Sequence, residues 1–217
     1  MQIPSNPLIY LASASPRRSA LLSQIGVAHR VRPIAPDERV LPGEEPARYV
    51  HRLAILKAQT LWHQIDAADR LPVLGADTAV AIGADILGKP TDEADCVRML
   101  TALSGRTHQV FTAVALCDED GAEARLSVSD VTFRALTTVE MHEYWATGEP
   151  ADKAGGYAVQ GLAAAFIERI AGSYSGVMGL PLFETAQLLG ALGWHVGQAA
   201  PLAAARHAHA AHGGARG

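Results

Sequence analysis

The apolar run at 8–11 gives way to the small polar segment Ser13-Ala14-Ser15, and beyond Pro16 the residues Ala20, Leu21, Leu22 and Ile25 return at helical spacing until Gly26. This change of period predicts strand, loop and helix, with Ser15 as cap, Pro16 in the first turn and Gly26 as stop. A second helix is predicted over 46–65, where Val50, Leu53, Ala54, Leu61 and Ile65 form one apolar stripe with Lys57 near its centre. The run 72–76 reads as a buried strand leading to Asp77 and Thr78, with more strand to Ile82 and a turn at Gly83. Thr91 is expected to cap a helix over 92–103 that Gly105 ends. The β-rich runs 108–116 and 125–133, joined by a polar turn at 117–121, predict a hairpin. Thr137 and Glu140 have the spacing of a capping box for a helix ending near Gly148. A strand-like run at 164–170 follows, and Gly179-Leu180-Pro181 should open a helix through Leu192.

No internal repeat and no long linker divides the chain, so residues 1–197 are read as one α/β unit with two lobes around a cleft. From about Gln198 an alanine and histidine mixture with terminal glycine predicts a disordered tail over 198–217. Of the 217 residues 49% are hydrophobic and 18% charged, enough to bury a sizeable core. The balance of 18 Lys plus Arg against 22 Asp plus Glu gives a net charge of -4, which offers no global field for nucleic acid or an anionic membrane. Any phosphate chemistry must be local. Cys96 and Cys117 stand in no metal-binding spacing and read as small core residues in a reducing compartment. The first residues lack a basic signal region and no stretch reaches the ~18 apolar residues of a membrane helix, so a cytoplasmic protein is expected.

Candidate chemistry begins at Ser13 to Arg18. Backbone N–H groups at a helix start, two hydroxyls and two guanidinium groups suit a phosphate chain, although a capped helix with solvated arginines has the same spacing. Asp77, after a buried strand, should stand at a sheet end, where α/β folds carry reactive groups and also close turns. Glu38, next to Asp37, could hold a hard divalent cation with it, though acidic loop pairs are usually only solvated. Lys57 and Lys89 could each meet a phosphate or be surface groups. The amide of Gln160 can both donate to and accept from a base edge, or simply end a strand. His207, His209 and His212 have metal-like spacing in the tail, a weak signal. The absence of GxSxG, GxGxxG and a P-loop weighs against serine hydrolases, dinucleotide enzymes and P-loop NTPases.

In order along the chain stand Leu11-Ala12-Ser13-Ala14-Ser15-Pro16-Arg17-Arg18, Arg52-Leu53-Ala54 with Lys57-Ala58, Gly75-Ala76-Asp77-Thr78, Gly88-Lys89-Pro90, Leu103-Ser104-Gly105 with Thr107-His108, Lys153-Ala154-Gly155, Gln160-Gly161-Leu162 and Gly179-Leu180-Pro181-Leu182. Together these motifs closely resemble the Maf family of nucleoside triphosphate pyrophosphatases, also called septum formation inhibitor proteins. The resemblance implies a two-lobed mixed-sheet α/β fold with a central cleft, like that of inosine triphosphate pyrophosphatase. It also implies a divalent cation, Mg²⁺ or Mn²⁺, and hydrolysis of a nucleoside triphosphate to the monophosphate and pyrophosphate. Carried over by motif, Asp77 is the proton acceptor and a metal ligand with Glu38, while Ser13, Arg17, Arg18, Lys57 and Lys89 belong to the polar set around phosphates and metal. Arg17, Thr78 and Gln160 resemble the family branch acting on dTTP and UTP rather than the one acting on 7-methyl-GTP. Homodimerisation is common in the family, and no residue here points to it independently. The alternative is a nucleotide-binding regulator of cell division whose hydrolysis is incidental.

Overall fold

Alternate residues of a strand face opposite sides of its sheet, and the segment Val73–Ile82 (β3) shows what that does here. Val73 and Ala79 pack toward a long helix on one face, while Leu74 and Ala76 pack into the core on the other. A computed structural model describes residues 8–197. The tail expected over 198–217, with its histidines, lies outside the described residues. Around β3 lies a seven-stranded mixed sheet in the order β2-β1-β3-β5-β6-β7, with β4 paired to β3 off that path. The other strands are β1 (Ile9–Leu11), β2 (His29–Val31), β4 (Asp85–Leu87), β5 (Thr107–Asp118), β6 (Gly121–Phe133) and β7 (Ile167–Ala171). The helices are α1 (Pro16–Gln24), α2 (Pro46–Gln64), α3 (Glu93–Leu103), α4 (Thr138–Ala146), α5 (Tyr174–Met178) and α6 (Leu182–Ala191). β1 runs parallel to β2 and β3, and β3, β5, β6 and β7 are antiparallel neighbours.

The core explains the two lobes. In one, the sheet lies between Leu21, Leu22, Leu188 and Leu189 of α1 and α6 on one face and Val50, Ala54, Ala58 and Leu61 of α2 on the other. In the second, Cys96, Met99, Leu100 and Leu103 of α3 and Met141 and Tyr144 of α4 close over Val80, Val110, Val131 and Phe133. Each fully buried leucine contributes about 1.5–3 kcal/mol relative to exposure. Cys96 and Cys117 are free and buried, one in each lobe's core. No helix of the described residues is long and apolar enough to cross a membrane.

Most predicted elements form within a residue or two of their expected ends, and the differences have local causes. The Thr137–Glu140 capping box is present. The α3 cap falls on Asp92 instead of Thr91, because the Asp92 carboxylate accepts from Asp95 N at 2.8 Å. Ser15 occupies the cap position of α1 without a side-chain hydrogen bond to the helix. The run 164–170 splits into a 3₁₀ turn at Leu162–Phe166 followed by β7, whose pairing to β6 reaches only from Ile167 to Ala171. The expectation that Asp77 stands at a sheet end is corrected: β3 continues through it to Ile82, because β5 pairs with it on both sides, Ala76 opposite Val114 and Thr78 opposite Thr112.

Candidate functional site

Between the lobes runs a cleft of about 710 Å³ whose lining includes every sequence-predicted site residue: Ser13, Arg17, Arg18, Glu38, Lys57, Asp77, Thr78, Lys89 and Gln160. At its floor, Lys57 Nζ lies 2.6 Å from Asp77 Oδ1 and 2.7 Å from Glu38 Oε1. Lys57 interrupts the apolar stripe of α2 at a position facing the sheet, so its ammonium is buried where the odd-numbered side of β3 presents Asp77. Burial pushes the Asp77 carboxyl above its usual range, and Lys57 and Arg18 pull only part of the way back. Its second oxygen, Oδ2, is buried with no hydrogen-bond partner among the described residues.

A glycine sets this contact. An added Cβ on Gly75 would stand 2.4 Å from the Ala54 carbonyl oxygen and 2.7 Å from Ala58 N, both backbone atoms of α2. Strand and helix therefore approach very closely, in the turn of α2 that carries Lys57 and two residues before Asp77. Gly75→Ala should force them apart. Overpacking of this kind typically costs about 1–3 kcal/mol, or roughly 2–12 °C in Tm for a domain of this size. A thermal melt checks the first effect, and a fall in turnover beyond the loss of folded protein checks the second. Wild-type values for both would show that α2 tolerates the shift.

The opposite side of β3 organises Arg18. Its Nε donates to Gly179 O at 2.8 Å, Nη1 to Ser13 Oγ at 3.1 Å and Nη2 to Thr78 Oγ1 at 3.3 Å. Of the five guanidinium N–H groups, the three bonds made among the described residues leave two for a ligand. Thr78 Oγ1 also lies 3.1 Å from Thr112 Oγ1, which donates to Gly176 O at 2.8 Å. Thr78 is thus joined to Arg18 and Thr112, and no hydrogen bond among the described residues ties it to Gln160. Since Ser15 does not cap α1 with its side chain, the first-turn N–H groups of that helix are not satisfied by its hydroxyl, a setting suited to an anion.

Asp37 and Glu38 do not act as a pair. Arg39 grips Asp37 through Nε and Nη2 at 2.6–3.0 Å, while Glu38 turns to Lys57. The Glu38 loop is held by contacts that sequence reasoning misses. Tyr49 Oη donates to Glu38 O at 3.0 Å, and Arg52 binds both carboxylate oxygens of Glu44 at 2.6 and 2.7 Å while donating to Arg39 O. The motif arginine at 52 is visible in the sequence, but its partner lies eight residues upstream in a segment without periodicity. Lys153, visible in the Lys-Ala-Gly motif without a role, also lines the cleft and pairs with Asp152. The motif histidine, His108, lies below the cleft wall, its Nε2 2.8 Å from Tyr157 Oη, and burial pushes its pKa down to about 4.

The donor set fits a hard divalent cation. Glu38 and Asp77 converge on one ammonium, and Asp77 Oδ2 is an unpaired buried oxygen. Among the described residues no three His, Cys, Asp or Glu side chains gather as a cage. That suits Mg²⁺, which is usually bound by one or two carboxylates plus substrate phosphates and water. The arrangement as a whole places a carboxylate with raised proton affinity opposite several cations in a water-accessible cleft, which is what transfer at a phosphate anhydride requires.

Known proteins resemble this chain over most of its length. A dTTP/UTP pyrophosphatase of Pseudoalteromonas atlantica is 54% identical over 84% of this chain and 95% of its own length. A dTTP/UTP pyrophosphatase of Saccharophagus degradans is 55% identical over 84% of this chain and 88% of its own. Among solved structures, the Staphylococcus aureus Ham1 protein overlays 58% of this chain and 71% of its own with a TM-score of 0.42 and 14% identity. The family described as Maf-like protein matches residues 8–192, from the first residue of the described structure to the cap that follows α6, and to that family the chain belongs.

Proposed function

We propose that this chain hydrolyses pyrimidine nucleoside triphosphates, dTTP and UTP foremost, to the monophosphate and pyrophosphate. The observation that carries the reading is the unpaired Asp77 oxygen at the floor of a cleft lined by Arg17, Arg18, Lys57, Lys89 and Lys153. The names of the similar proteins support the choice of substrates.

In this reading the two free N–H groups of Arg18, with Arg17 and Lys89, grip the triphosphate and orient its α-phosphorus toward Asp77. Water attacks that phosphorus, the bond to the β-phosphate oxygen breaks, and pyrophosphate leaves with the electron pair. Asp77 accepts the proton from the water, a role for which a raised proton affinity is an advantage. Lys57 keeps Asp77 oriented through Oδ1. Mg²⁺ or Mn²⁺, held by Asp77 and Glu38, would neutralise phosphate charge and strengthen the pull on the leaving group. Gln160, exposed on the cleft wall, would read the base.

Pyrophosphate release from UTP, dTTP, CTP, ATP, GTP and 7-methyl-GTP tests the proposal, with and without a chelator. Expected are UTP and dTTP as best substrates, pyrophosphate as the product and loss of turnover with chelator. Orthophosphate as the product would overturn the reading. Tight nucleotide binding without turnover would instead favour a regulator that only senses nucleotide.

A further inference from the structure

Gln160 sits on a β-turn rather than a strand end. Gly161 N donates to Ala158 O at 3.0 Å, closing a turn in which Val159 and Gln160 are the central residues. The two ends of the turn are fastened to two side chains that bond each other, and neither of these lines the cleft. On the near side, Ala158 N donates to Tyr144 Oη at 3.2 Å. On the far side, Leu162 N donates to Glu149 Oε2 at 3.0 Å and Ala163 N to Oε1 at 3.4 Å. The phenol closes the circuit by donating to Glu149 Oε1 at 2.7 Å. Gly161 lies so close that an added Cβ would fall 2.2 Å from Glu149 Oε2.

We propose that Tyr144 and Glu149 form a mount that positions the 158–161 turn and through it the Gln160 amide, making them specificity-determining positioning residues for the base. This rests on the reading of Gln160 as the group that meets the base.

The chemistry of the pair suits a mount. Tyr144 is buried at 3% exposure, with its ring edge-on to Phe166 at 5.1 Å, so α4 anchors the phenol in the second lobe's core. Burial alone would raise the Glu149 carboxyl, but the backbone N–H groups and the phenol outweigh it and hold the group below its usual range. The ionised carboxylate is therefore the form that receives all three donors, and charge-assisted bonds of this kind are the stronger ones. A side chain that reads a base by two hydrogen bonds needs its backbone fixed to within a fraction of an ångström. Besides backbone bonds within the segment, Gly161 N to Ala158 O and Ala164 N to Gly161 O, the described hydrogen bonds that fasten it to the rest of the fold are those of Tyr144 and Glu149.

The test uses Tyr144→Phe, which removes only the hydroxyl, and Glu149→Gln, which keeps the shape but replaces one acceptor by a donor. Each is made alone and in combination with Gln160→Ala, and kcat and KM are measured for UTP and CTP. Each single variant is expected to raise KM for UTP and to narrow the UTP over CTP preference by about 5- to 10-fold, the loss of one hydrogen bond of ~1 kcal/mol or slightly more. Turnover at saturation should change little. In the Gln160→Ala background neither variant should narrow the preference further, because residues acting through one contact are not additive. A merely structural role would lower activity on both nucleotides alike and add to the effect of Gln160→Ala. Tyr144→Phe keeps the test decisive if Glu149→Gln folds poorly. If Gln160→Ala abolishes the preference while both mount variants keep it, the mount alone is overturned. If Gln160→Ala leaves the preference intact, the base-reading role of Gln160 falls and the mount falls with it.

Discussion

Replacing Asp77 by asparagine is expected to lower turnover by about 10²- to 10⁴-fold, the usual cost of losing a general base, without lowering the melting temperature at neutral pH. The two halves of this expectation come from one fact, the burial of the carboxylate. Burial raises the Asp77 carboxyl above its usual value of 3.8, and Lys57 and Arg18 do not fully reverse it. Folding therefore favours the protonated form. A carboxyl raised in the folded state contributes stability below its unfolded value, and that stability is lost as the pH rises through the folded value. At neutral pH the ionised Asp77 is a net burden on the fold, which a neutral amide of the same shape removes. The amide oxygen can still accept from Lys57, and Lys57 keeps Glu38 at 2.7 Å. Thermal melts of both proteins at pH 7, alongside single-turnover rates, check the pair of effects. Near wild-type turnover in a folded variant would remove Asp77 from the chemistry. A drop of several degrees would show that the ion pair with Lys57 outweighs the burial. The same shift predicts that the acid limb of kcat/KM lies above 3.8 for the free enzyme, with activity rising as Asp77 ionises.

UTP and dTTP are expected to be turned over with similar kcat/KM and CTP less well, by roughly 5- to 150-fold for each mismatched contact, since an unsatisfied polar group costs ~1–3 kcal/mol. In the proposed reading the Gln160 amide would accept from N3–H of uracil or thymine and donate to a ring carbonyl, and the 5-methyl of thymine lies away from that edge. Cytosine presents an unprotonated N3 and an amino group, so both contacts meet a partner of their own type; an amide turned end for end would restore the pairing, and near-equal values for CTP and UTP would show that it turns. Gln160→Glu replaces the donor by a second acceptor and should lower kcat/KM for UTP and dTTP by the same 5- to 150-fold. Steady-state kinetics on UTP, dTTP, CTP and 7-methyl-GTP decide the matter. Equal values for UTP and CTP would sink the discrimination by a fixed amide, and 7-methyl-GTP as the best substrate would sink the pyrimidine assignment.

The parts of this site that are legible in sequence are those whose neighbours are local or periodic. A lysine inside the apolar stripe of α2 signals a buried cation, and the strand alternation of β3 places Asp77 and Thr78 on opposite faces. The short elements β2, β4 and α5 escape a sequence reading, because three to five residues cannot show a period. Positions 91 and 92 both carry capping residue types, and the contest for the α3 cap is decided by which side chain reaches Asp95 N. A carboxylate in mid-strand looks costly, which is why sequence points Asp77 to a strand end. What offsets that cost, Lys57 from a helix twenty residues upstream, is a tertiary contact beyond the reach of any local window of sequence. Glu38 is weakly signalled for the same reason, since Tyr49 and Arg52 hold its loop through the turns of α2 that follow it.

β3 and β5 run unbroken from one lobe's core into the other's, with Leu74 and Leu116 packed at one end and Val80 and Val110 at the other. The lobes therefore share a common spar, and these two strands leave no flexible joint between them. Opening about a hinge would have to break the ladder that pairs Asp77 with Ala113 and Thr78 with Thr112. Nucleotide and product therefore pass through a cleft whose floor is not opened and closed by movement of one lobe against the other along these strands. Asp77, set in the middle of that ladder, is positioned before substrate arrives, the kind of preorganisation that spares reorganisation at the moment of reaction.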